Sequence, residues 1–110
     1  MNTTLKTLLV AVAITLAGVA QAGTVLDNTS YAGGVGSCKA VAQYANINNV
    51  VNPEAGARLS KQIEARFRTL QGQDTTTAVN SFNRSYDLAQ RAKVAVISED
   101  FTKCVMWVNN

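Results

Sequence analysis

The chain has 110 residues, with ten Lys or Arg, seven Asp or Glu, and no histidine, for a formal net charge of +3. Without histidine there is no Ser-His-Asp or Cys-His catalysis, the most frequent general base is missing, and most zinc and copper sites are removed. Basic and acidic residues are mixed, so the concentrated basic face that nucleic-acid binding needs is missing too, and no cofactor is implied.

Lys6 precedes an uncharged, mostly apolar run from Thr7 to Val19, and Ala20-Gln21-Ala22 supplies the small-x-small pattern cut by a signal peptidase. This predicts a leader over residues 1–22, cleaved after Ala22, and a periplasmic or secreted protein. The apolar run is shorter than the about 20 residues of a membrane-spanning helix, so no stable membrane anchor is expected. No cysteine follows the cleavage pattern to carry a lipid.

Residues 23–110 are enough for one domain. Cys38 and Cys104 both lie in this part, and an even count in an oxidising compartment predicts a Cys38–Cys104 disulfide. Closing so long a loop contributes about 4 kcal/mol in the chain-entropy account. That is a large share of the total stability of a small domain, about 5–10 kcal/mol.

Residues 23–36 read as a flexible arm, because Gly23, Gly33, Gly34 and Gly36 punctuate them. The stretch Ala32-Gly-Gly-Val-Gly36 resembles a phosphate loop only superficially, since it lacks the Gly-Lys-Ser/Thr ending. Asn28-Thr-Ser30 and Asn83-Arg-Ser85 fit the N-glycosylation pattern, which matters only in a eukaryotic host. The helical domain is expected over 37–110. Its first helix starts at Ser37 as N-cap and runs to about Ile47, with Val41, Tyr44 and Ala45 following Cys38 at helical spacing.

Asn52 as cap, Pro53 in the first turn and Glu54 at the positive dipole end predict a second helix. Its apolar stripe is Leu59, Ile63, Phe67 and Leu70, and Gly72 provides the stop. Asp74 is read as the cap of a third helix with the stripe Val79, Phe82, Tyr86 and Ala89. Glu54–Arg58 and Glu64–Arg68 are pairs four residues apart, and Asp87 is placed to pair with Arg84 or Arg91. Lys93–Ile97 reads as the end of the third helix, with a short strand as the alternative. Ser98, followed by Glu99 and Asp100, opens a last helix with Phe101, Cys104, Val105 and Val108 on one face. The sum is an all-α, single-domain bundle of about four helices stapled by one disulfide.

Glu99-Asp100 is the only adjacent carboxylate pair, but neighbours on a helix diverge by about 100° and do not converge on one site. A role at the helix dipole accounts for both. Arg58, Lys61, Arg66 and Arg68 lend the second helix a basic tone that an acidic partner surface could meet, with Arg58 and Lys61 as the contact candidates. Trp107 and Met106, near the chain end, and Tyr31, in the glycine-rich arm, are the aromatic and sulfur-bearing candidates for an interface. These features predict a non-enzymatic exported protein that docks to another envelope protein, as an inhibitor or immunity factor does. A periplasmic stress chaperone is the alternative, and a secreted toxin or small hydrolase ranks last.

Overall fold

The computed structural model describes residues 23–110, so the expected leader lies outside the described residues. Four helices make up an all-α domain: α1 (Tyr31–Ile47), α2 (Pro53–Phe67), α3 (Gln73–Ala89) and α4 (Val94–Val108). Cys38 in α1 and Cys104 in α4 form the disulfide, their Cα atoms 5.7 Å apart. Val35, Val41, Leu59, Ile63, Ile97 and Phe101 pack into the core around it.

α1 is the hub, packed against α2, α3 and α4, whereas α2 also reaches α4. It is buried along most of its length and on more than one side, from Ala32 to Ala45. A helix enclosed in this way carries no single apolar stripe.

The first correction concerns residues 31–36, expected as part of a flexible arm. They are the opening turns of α1, and Ser30 rather than Ser37 is the cap, its Oγ accepting the Gly33 N–H at 3.0 Å. Ser37 is buried inside the helix and donates to the Gly34 carbonyl at 3.2 Å. Glycine lowers helix propensity by about 1 kcal/mol per residue. Here that loss is outweighed by packing, since small residues let other helices and Trp107 approach the α1 backbone.

Residues 24–27 of the expected arm are also held. They form a strap between α3 and α4, and Val25 is buried within it. The Val25 carbonyl accepts from Ser85 Oγ at 2.7 Å, and Asp27 Oδ2 accepts from Ser81 Oγ at 3.1 Å, both donors belonging to α3. On the α4 side, Asp100 accepts the Val25 N–H at 2.8 Å and the Thr24 hydroxyl at 3.0 Å.

α2 starts as expected: Asn52 Oδ1 accepts the Glu54 and Ala55 N–H groups at 2.8 and 3.3 Å. It ends at Phe67, before Gly72, which instead precedes α3 with φ +59°. Asp74 therefore sits in the first turn of α3 and not at its cap. The buried face of α3 is Ala78, Ser81, Ser85 and Ala89. Val79, expected inside, is exposed, while Phe82 and Tyr86 are half-buried. The small residues face inward because Ala78 meets Gly36 of α1, Ser81 donates to the Gly33 carbonyl and Asp27, and Ser85 donates to the Val25 carbonyl. α4 begins at Val94, so Lys93–Ile97 belongs to the start of the last helix and Ser98 lies within it. Glu64–Arg68 and Asp87–Arg91 pair at 3.6 and 2.7 Å, whereas no Glu54–Arg58 ion pair forms among the described residues.

Candidate functional site

The site is built where the N-terminal turn of α1 meets the last turns of α2 and α4. Tyr31 opens α1 and is half exposed, and its ring centroid lies 5.6 Å from that of Trp107 at an interplanar angle of 46°. Trp107 lies over Gly34, where a β-carbon would come within 3.3 Å of the indole. The absent side chain therefore makes the seat for the indole.

Arg66, in the last turn of α2, braces the pair. Its guanidinium stands 5.5 Å over the Trp107 ring, within cation–π range. Nη2 donates to the Val108 carbonyl at 2.8 Å and Nη1 to the Tyr31 hydroxyl at 3.4 Å. One planar side chain thus satisfies a helix-end carbonyl and braces two aromatic rings.

Beside this cluster opens a cleft of about 540 Å³. Gly34, Ser37 and Cys38 line it from α1, and Tyr31, Trp107 and Lys103 form its walls, so the disulfide half-cystine of α1 faces the cleft. A second hollow of about 400 Å³, lined by Gln62, Arg66 and Val108, lies on the other side of Tyr31. Tyr31 is the ridge between the two.

Among the residues singled out in the sequence, Tyr31 and Trp107 are brought together. Met106 is exposed on α4 but does not line the cleft, and Arg58 and Lys61 are exposed on α2 away from it. Arg66, part of the basic tone of the second helix but not among the contacts singled out, is the α2 cation that joins the cluster. Lys103 was missed, although its position four residues before Trp107 places both on one helix face.

The carboxylates have structural partners. Glu64 pairs with Lys39 at 3.6 Å, and the Lys39 ammonium lies 5.6 and 5.1 Å from the Phe67 and Phe82 ring centres. The Thr29 hydroxyl and amide, together with Ser81, hold the Asp27 carboxyl below its ordinary range. Asp100, expected to serve the helix dipole, is instead wholly buried. Burial raises its carboxyl despite the hydrogen bonds from Val25 and Thr24.

Among the described residues no three His, Cys, Asp or Glu side chains gather as metal ligands, and no helix is long and apolar enough to cross a membrane. Comparison with protein families, curated proteins and solved structures found no match.

Proposed function

We propose that the chain is a non-enzymatic exported protein that docks to another protein of the cell envelope, as an inhibitor or immunity factor does. The Tyr31–Trp107 end of the bundle is its docking face. The observation that carries this reading is the half-exposed Tyr31, held as a ridge between two hollows by Trp107 and Arg66.

Interface energy concentrates in aromatic and arginine side chains, and ordering them beforehand removes part of the entropic cost of association. Both conditions are met here. Trp107 is seated on Gly34, Arg66 is tied to Val108, and the underlying helices are joined by the disulfide. Such a face acts by occlusion, covering a partner's active surface with little change of its own shape.

The test is capture of the oxidised domain's partner from a native envelope extract, followed by titration of that partner against wild type and Tyr31→Ala. Tyr31 is exposed at the helix start, so its truncation leaves the core untouched. The expected result is one saturable partner whose affinity falls at least tenfold in the variant. Binding that is indifferent to Tyr31 overturns the assignment of the face. Many weak unfolded clients favour the stress-chaperone reading instead.

A further inference from the structure

We infer that Asp100 is a binding site for the α-ammonium group of Gly23, the chain end that cleavage after Ala22 creates. This rests on the export reading above.

Asp100 is 0% exposed, yet the groups that hydrogen-bond to it are neutral: the Val25 N–H on Oδ2 at 2.8 Å and the Thr24 hydroxyl on Oδ1 at 3.0 Å. A carboxylate withdrawn from water in neutral company is unfavourable unless a cation compensates it. Among the described residues Lys103 is the cation within reach, at 4.0 Å from Oδ1 and with half its side chain in solvent. Glu99, the adjacent acid on α4, opposes the charge further. The strap contributes hydroxyl and amide groups at this carboxylate, and α3 meets the strap through Ser81 and Ser85, both uncharged.

Both strap donors belong to the two residues that follow Gly23. A residue spans at most about 3.6 Å, so the Gly23 nitrogen lies within about 7 Å of the Val25 nitrogen that Asp100 already grips. In the unprocessed chain that nitrogen is a neutral peptide amide. After cleavage it is an ammonium with an ordinary pKa of about 7.7–8.0, charged at neutral pH. Cleavage thus creates a positive charge on an exposed residue that the strap tethers within about 10 Å of the buried carboxylate.

The strap bridges α3 and α4, so the same event tightens the bundle. The precursor is the less stable form, and the processed protein is the one locked into its fold.

The inference is tested on the chain beginning at Gly23, with a free or an acetylated amine, in wild type and in Asp100→Asn. NMR follows the titration of the Gly23 amine and of the Asp100 carboxyl carbon. The expected result is an amine pKa about half a unit to one unit above the ordinary value, with the Asp100 carbon reporting the same titration. Acetylation is expected to lower Tm by roughly 3–6 °C in wild type and to have no such effect in Asp100→Asn. An amine at its ordinary pKa, or an acetylation effect of equal size in both backgrounds, overturns the assignment.

If Asp100→Asn does not fold, the two wild-type titrations decide the matter. The mass of the exported protein separates the two readings. A start at a residue other than Gly23 defeats the cleavage reading, whereas a start at Gly23 with an unperturbed amine defeats this inference alone.

Discussion

Gly36 in α1 lies backbone to backbone against Ala78 in α3, with no room between them for a β-carbon. An added methyl would meet the Ala78 carbonyl oxygen and main-chain carbons, which cannot swing aside as a flexible side chain can. Gly36→Ala is therefore expected to force α3 away from α1 and to lower stability by roughly 1–3 kcal/mol, even though alanine favours helix more than glycine does. Urea unfolding of the oxidised protein measures this. A gain in stability would show that the two helices can separate at no cost.

Reduction of the Cys38–Cys104 bond, or its replacement by two alanines, is expected to remove about 4 kcal/mol. Urea titrations with and without a thiol reductant give the difference. The four helices should persist in mild conditions, because Val35, Val41, Leu59 and Ile63 pack without needing the bond.

Arg66→Ala is expected to lower stability by about 1–2 kcal/mol, because it removes the bond to the Val108 carbonyl and the cation over Trp107. Trp107 is the only tryptophan of the chain, so its emission reports the same change as a red shift. Arg66→Lys keeps the charge but not the planar fork, and should recover only part of either property.

How legible this arrangement was in the sequence depends on whether local chemistry or packing determined each residue. The start of α2 was open to reading because Asn52, Pro53 and Glu54 act on their own backbone, and the disulfide followed from two cysteines in the compartment that the expected leader implies. The start of α1 was hidden because glycine normally signals a turn. Gly34 and Gly36 serve instead as clearances for Trp107 and Ala78, which lie far along the chain. Nothing local marks Ser81 and Ser85 as inward-facing, since their partners are in the strap and in α1. Within the candidate site Tyr31 and Trp107 stood out as interface candidates by residue type. Arg66 was legible only as part of the basic tone of α2, because nothing local announces that it will stack on a side chain 41 residues later.

Asp27 and Asp100 should influence stability in opposite directions as pH changes. The folded pKa of Asp27 is held below the ordinary 3.8 by Thr29 and Ser81. Its contribution is present above 3.8 and is lost as pH falls through the folded value. Asp27→Asn should therefore flatten the acid limb of the stability curve. In a chain whose Gly23 amine is blocked, the folded pKa of Asp100 is raised by burial. Its contribution is complete below 3.8 and is lost as pH rises through the folded value. Asp100→Asn should remove that decline. Thermal melts from pH 2.5 to 7 compare the two variants, and slopes of the same sign would refute this account.

The Cys38–Cys104 bond connects the first helix to the last, so it encloses all three connections between helices. A protease that cuts any one of them produces two peptides but not two molecules. The nicked protein remains one covalent unit with its helices in register. A single backbone cut within this loop therefore leaves the chain covalently whole for as long as the bond stays oxidised.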